Sequence, residues 1–308
     1  MAGSIFEFFG YRAEDVSREA LAGGVSHQCP FLEETCEKTL SDGLVSGACS
    51  IKPVTSSPVI CCPIRLYAGR YRILQVIADE AFGPGQHLVP GPEARIAALH
   101  EGGPVVAVFG QRWGGELRLP QKGGHGNYFV DWILAKLTAD GSLEEFVAVE
   151  VQTMDTTGNY RNGRRALLGG DRRLVKTSVG INWENVSKRI IPQLVYKGQV
   201  LQRESLCRRG IFFGCPYPVF GRIIERLGGR DKLPTFPPQP ASITFVAYDY
   251  AGQTFADGVA VPLDVVDRLG TTVYKLQDAF NTVTLPTEDV YQAAIEAALR
   301  APEPSDVA

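Results

Sequence analysis

Two strand-like runs flank a single dipeptide, and together they leave the chain few ways to fold. VDWILAKLTA, which opens at Asp131, and FVAVEVQTM, which carries Glu150 and Gln152, are rich in β-branched and aromatic residues. Between them lies Asp140-Gly141, the strongest short-range hairpin signal a sequence offers. If those two residues form the loop, Ala139 faces Ser142 and every opposed pair sums to the same total. Asp131 then falls opposite Glu150, with Cβ atoms ~4.5–5.5 Å apart. Glu150 and Gln152, two residues apart, project to the same face as Asp131. Two carboxylates this close need a shared proton or a cation. The geometry is that of a divalent-metal site for phosphodiester hydrolysis.

Mg²⁺ suits such a site, because it is commonly held by one or two carboxylates together with waters and phosphate oxygens. Asp131 and Glu150 are the expected ligands, helped by the backbone carbonyl of Val151. Gln152 is expected to position a water or hydrogen-bond a phosphate oxygen; it is neither a cation nor a base at neutral pH. Glu116, upstream on ELRLP, is expected to bind a second ion or orient a water. The competing reading places Asp131 and Glu150 at an exposed sheet edge, in salt bridges with the abundant arginines.

Five of the seven cysteines fall between Cys29 and Cys62. Cys29, Cys36, Cys49 and Cys62 are spaced C-x6-C-x12-C-x12-C in a segment that is rich in glycine and serine and reads as loops. Four thiolates there would act as a structural metal centre in place of a hydrophobic core. Iron and zinc both accept four thiolates, and spacing does not separate them. Only one of Cys61 and Cys62 is expected to ligate, since adjacent side chains of extended backbone point to opposite sides. Buried, unliganded cysteines are the plainer alternative.

The net charge of −3 conceals an asymmetry. From Arg161 to Arg230 there are fifteen Lys/Arg against four Asp/Glu, a local balance of +11, so the rest of the chain carries −14. A basic middle third suits a polyanionic partner. The expected location is cytoplasmic: no apolar run approaches the length of a membrane span, and no basic-then-apolar leader begins the chain.

Helical spacing is expected over Arg72–Ala81, Glu93–His100, Asn182–Tyr196 (with Pro192 kinking or ending it), Arg222–Leu227 and the final EDVYQAAIEAALR. Strands are expected at Pro104–Gly110, in GIFFGCPYPVF and in ASITFVAYDY, while residues 83–93 read as a turn-rich break. Strands alternating with helices around a central antiparallel hairpin imply an α/β fold with a mixed sheet. Residues 1–70 are expected to form the cysteine-bearing N-terminal unit, 71–232 the core and DNA-binding region, and 233–308 a C-terminal elaboration.

CPFLEETC, GACS, VICCPIRLYA, VDWILAKL, EFVAVEVQTMDTTGNYR and GINWENVSKRIIPQLVYKG occur here in that order. In this the chain resembles the NotI/EagI-type restriction endonucleases, of the PD-(D/E)xK nuclease superfamily, which carry an N-terminal four-cysteine iron module. The resemblance implies a PD-(D/E)xK core and catalytic roles for Asp131, Glu150, Gln152 and Glu116. It also favours Cys29, Cys36, Cys49 and Cys62 as ligands, leaving Cys61 extra. Gln152 departs from the lysine of the general superfamily pattern, as this subfamily does. The implied function is a Mg²⁺-dependent type II restriction endonuclease, a bacterial homodimer cutting double-stranded DNA at a GC-rich palindrome containing GGCC. Arg161, Arg164, Arg165, Asn182, Asn185, Lys188 and Arg189 are the expected DNA-binding residues, most of the cations on phosphates. The alternative is a non-catalytic, metal-stapled DNA-binding protein.

Overall fold

A computed structural model describes residues 3–115, 117, 129–169, 172–252, 254–282 and 287–300. The first segment holds more strand than its sequence implies. β1 (Gly3–Phe8) and β2 (Tyr11–Arg12) fold back on each other, and α1 (Arg18–Ser26) follows, its Ser17 cap accepting the Ala20 N–H at 3.3 Å. That helix passes through Gly23 and Gly24 and stops at His27 in left-handed backbone. A small hairpin, β3 (Gln28–Cys29) with β4 (Glu34–Thr35), precedes β5 (Ala48–Pro53) and β6 (Val59–Ile60). The sheet order is β2-β1-β5-β6. The loop-rich reading is therefore corrected, because Ile5, Phe8, Ile51 and Val59 are buried and give this sheet an apolar face of its own. Glu7 and Arg65 pair at 2.8 Å in full burial, and the Tyr250 hydroxyl donates to the same carboxylate at 2.6 Å.

α2 (Ala68–Phe82) opens with Gly69, Arg70 and Tyr71 in left-handed backbone, so regular helix starts at Arg72, where the 3.6-residue apolar spacing starts. Next come β7 (Leu88–Pro90), α3 (Gly91–Glu101), β8 (Val105–Gly110), β9 (Trp132–Leu137) and β10 (Leu143–Val151). β7 lies within the stretch read as a turn-rich break. Only Val89 of its three residues is buried, too short a run for periodicity to reveal. β11 (Thr156–Thr157) and β12 (Gly180–Ile181) form a separate antiparallel pair bracketing α4 (Arg161–Leu168), a helix the polar sequence concealed. α5 (Ile191–Leu201), β13 (Ile211–Pro216), α6 (Tyr217–Arg226), β14 (Ser242–Tyr250), β15 (Leu263–Thr272), α7 (Val273–Asn281) and α8 (Val290–Arg300) follow.

Seven strands form the central sheet, in the order β15-β14-β13-β10-β9-β8-β7. β13 runs parallel to β10 and β14, and β7 parallel to β8; the other neighbours are antiparallel. The mixed α/β class expected from the sequence is the observed one. Alternation divides the residues between the two faces. Trp132, Leu134, Val147, Val149 and Val151 pack with Ile73, Leu74 and Ile77 of α2. Ala148, Ile211, Phe213 and Phe245 pack on the other side with residues of α5, α6 and α7, and α3 covers that side near β7 and β8. Among the described residues no helix is long and apolar enough to cross a membrane.

Pro192 does not end the helix around it. One π-helical turn, Val186–Ile190, leads directly into α5, and Pro192 sits in the first turn of that helix. A proline lacks the N–H that a helix interior would use, and a widened turn re-registers the carbonyls before it. The helix therefore continues to Leu201, one turn beyond its expected end.

Candidate active site

The hairpin reaches the expected register by a different route. Thr138 N–H donates to Ser142 O at 2.9 Å and Gly141 N–H to Thr138 O at 2.8 Å, so the loop has three residues, 139–141, with Gly141 at φ 77°. This is a turn closed by a left-handed glycine, and it makes Leu137 face Leu143. A bulge between Leu143 and Glu145 then adds one residue to β10, after which Lys136 faces Glu145 and Trp132 faces Val149. The same register, continued one step, sets Asp131 opposite Glu150.

The two carboxylates are fixed by different means. Asp131 lies just before β9 and accepts the Val151 N–H at 2.8 Å, which ties it to the end of β10. Glu150 is buried (8% exposed) and accepts a hydrogen bond from the ammonium of Lys197, on α5. Burial, and then the negative charge of Asp131, push the Glu150 carboxyl up to about 7; Lys197 opposes them without cancelling them. Burial also raises Asp131, against the Val151 N–H and the Lys197 charge. Tyr67 stands nearby, its hydroxyl accepting the Trp132 indole N–H at 3.2 Å and its pKa raised by burial and by Asp131. Gln152 comes directly after β10, its N–H donating to Gly214 O at 3.0 Å. Glu116 lies outside the described residues.

Asp131 and Lys197 share the wall of a groove of about 480 Å³, open between α3 and α5 and otherwise lined mainly by apolar side chains such as Phe109, Ile133, Phe146 and Leu201. Asp131, Ile133, Ala135 and Leu137 all face it, as strand alternation requires. Two adjacent carboxyls with raised pKa values, Glu150 buried and Asp131 open to solvent, are a donor set that gains from a cation, so these residues fit a divalent ion.

Cys29, Cys36, Cys49 and Cys62 line one small cavity, and Cys61 does not. Cys61 instead turns toward Lys38, whose ammonium donates to its carbonyl at 2.9 Å and its sulfur at 3.1 Å. The tetrahedral set expected from the spacing is not drawn together, however: among the described residues no three His, Cys, Asp or Glu side chains are grouped closely enough to hold a metal ion. All seven cysteines are free thiols, and burial raises Cys29, Cys49 and Cys62, the last to about 12. The four surround one space, so as a donor set they fit a thiolate-bound metal.

The expected DNA-binding residues fall into two groups. On α4, Arg161 pairs with Asp42 at 2.7 Å and Arg164 donates to Val45 O at 2.7 Å, both in the loop after Cys36; Arg165 is exposed. Around the π turn, Asn185 and Arg189 both donate to Asp155 Oδ2, at 2.8 and 3.3 Å, the Asn182 N–H donates to Asp155 O, and Lys188 pairs with Glu184. Lys197 was not anticipated. Its signal was present in the helical spacing, three residues after Leu194 and four before Leu201, where an amphipathic helix carries an inward face.

The model of the family described as restriction endonuclease NotI matches residues 15–206, which takes in the four cysteines, the hairpin and α5. No curated protein matches the chain. The family match covers more than half of the sequence and spans the candidate site from end to end, so the chain belongs to the NotI restriction endonuclease family, a family of site-specific deoxyribonucleases.

Proposed function

We propose that this chain is a Mg²⁺-dependent type II restriction endonuclease whose catalytic set is Asp131, Glu150 and Gln152, with Glu116 as a further carboxylate. The observation that carries the reading is the opposition of Asp131 and Glu150, with Asp131 on the wall of the groove, in a chain of the NotI family. A bound divalent ion lowers the pKa of a water and neutralises charge on the scissile phosphate. Asp131 and Glu150 would hold it. Gln152, directly after the strand and two residues from Glu150, would orient the attacking water or a phosphate oxygen by hydrogen bonding.

The four cysteines that share a cavity are proposed as ligands of a structural iron or zinc, within an N-terminal unit of residues 1–70. Four thiolates saturate a tetrahedral site and leave no open position, so the chemistry is assigned to the carboxylates of the 71–232 core, with 233–308 as its elaboration. Arg161, Arg164, Arg165, Lys188 and Arg189 are assigned to phosphates, and Asn182 and Asn185 to neutral contacts. Cutting both strands of a palindrome calls for two sites related by a two-fold axis, hence a homodimer. The proposed target is a GC-rich palindrome containing GGCC.

The test is digestion of a fully sequenced, GC-rich DNA by the purified protein in Mg²⁺, beside a metal-free control. Discrete fragments with shared ends are expected, and they reveal the target. Intact DNA retarded at one site by a folded protein would overturn the catalytic reading in favour of binding alone.

A further inference from the structure

Strand β10 and the residue directly after it carry a carboxylate, Glu150, and an amide, Gln152, but no cation beside them. A cation reaches the carboxylates nonetheless, from a different element. Lys197 extends from α5 to Glu150 and keeps its side chain 19% exposed. It lies on the inward side of the helix between Leu194 and Leu201, a place where an ammonium is costly to hold without a partner. The helix itself is closely set. A Cβ on the next residue, Gly198, would lie 2.3 Å from Val273 Cγ2, so α5 packs against α7 at a separation only glycine permits. The reach of Lys197 is thus fixed by packing. With Asp131, Arg95 and Glu204, it belongs to the polar part of an otherwise apolar groove wall.

An ion pair that only anchored α5 to the sheet would need no access to open space, whereas the lysine of this one lines the same open groove as Asp131. We propose that Lys197 is a catalytic residue of this nuclease, whose ammonium hydrogen-bonds a non-bridging oxygen of the scissile phosphodiester and offsets the charge that grows there. The assignment rests on the endonuclease reading above. In the reaction it serves, a water oxygen bonds to phosphorus and the bond to one ester oxygen breaks. The electron pair of that bond stays with the departing oxygen, and the water's proton passes to it through solvent. Lys197 keeps its protons throughout. Delivery from α5 also accounts for an uncharged residue at 152, since one well-placed cation on this side of the phosphate is enough.

The experiment uses the full-length protein and a duplex whose cut position has been read from the wild-type digest. Single-turnover cleavage is measured for Lys197→Met, Lys197→Arg and Lys197→Met/Gln152→Lys. Lys197→Met is expected to slow cleavage by about 100-fold or more, the cost of removing one donor to a developing oxyanion. A lysine at 152, on the same face as Glu150, is expected to return about tenfold of that loss. Binding without metal is compared for duplexes with an ordinary phosphate or an uncharged methylphosphonate at the cut position. Lys197→Met should weaken the preference for the charged duplex by about tenfold. Lys197→Arg, which keeps a partner for Glu150, guards against a folding failure. It should retain that preference while cleaving about tenfold more slowly. Cleavage by Lys197→Met within about threefold of wild type, or loss of the preference in Lys197→Arg, would overturn the assignment. A wild-type protein that cuts nothing fails the endonuclease reading instead, so the two failures are distinct.

Discussion

Asp131 and Glu150 are held face to face by the hydrogen bonds of two paired strands, whereas Cys29, Cys36, Cys49 and Cys62 come from two short strands and two connecting segments around one cavity. The first set is assembled by backbone register, and burial raises both carboxyls, with the Asp131 charge adding to the rise at Glu150. The second set is brought into one neighbourhood by β3, the residue after β4, β5 and the turn after β6. A sheet can hold like charges against their repulsion because many other contacts fix its geometry. Short strands and turns supply fewer such contacts, so a set of thiolates carried on them would depend on a bound ion to hold it together.

The largest expected effect tests the preformed half. Glu150→Ala should reduce cleavage by about 1,000-fold or more while leaving folding and binding of the target duplex close to wild type. Equal loss of binding and cleavage would show that the carboxylate pair serves docking and not chemistry. The ion-dependent half is tested by Cys49→Ser. Metal analysis of the purified variant should show a smaller metal content than wild type, and its melting temperature should fall by on the order of 10 °C. Unchanged metal content would remove Cys49 from the ligand set and blur the contrast.

The smallest effect is on the pH dependence of stability in metal-free protein. Glu150 titrates near 7 in the folded state against an ordinary value of 4.5, so the fold binds a proton that the unfolded chain releases. The stability this provides is complete below about 4.5 and is lost as pH rises through about 7. Glu150→Gln should remove much of that slope, raising the melting temperature at pH 8 by on the order of 5 °C relative to wild type. A slope unchanged in the variant would mean that the pair is already neutralised.

Legibility in the sequence follows the same division. The β9–β10 hairpin, β8, β13, β14 and the regular part of α2 were readable because long periodic runs announce which face is buried. The opposition of Asp131 and Glu150 followed from that hairpin, although the loop length used to reach it differs from the observed one. β7, β11 and β12 were too short to show a period, and α4 was hidden because its exposed face is dominated by arginines. β15 alternates intermediate and exposed positions along its first half, which erases the apolar signal of a strand. Lys197 escaped notice for a different reason. A single inward lysine gains meaning only when the residue it meets is known, and Glu150 lies 47 positions away in sequence.

The three-residue turn and the bulge beyond it each displace the hairpin by one residue, in opposite senses, and so cancel before reaching Asp131. Length changes at this tip are therefore not independent of the strand that follows. A deletion that shortened the loop to two residues while leaving the bulge in place would slide β9 by one position, exchange its inward and outward residues, and carry Asp131 away from Glu150. Drift in this hairpin can proceed only through matched changes, in which a residue lost at the tip is answered by a residue lost at the bulge. Two lineages could then differ in both places and still align their carboxylates.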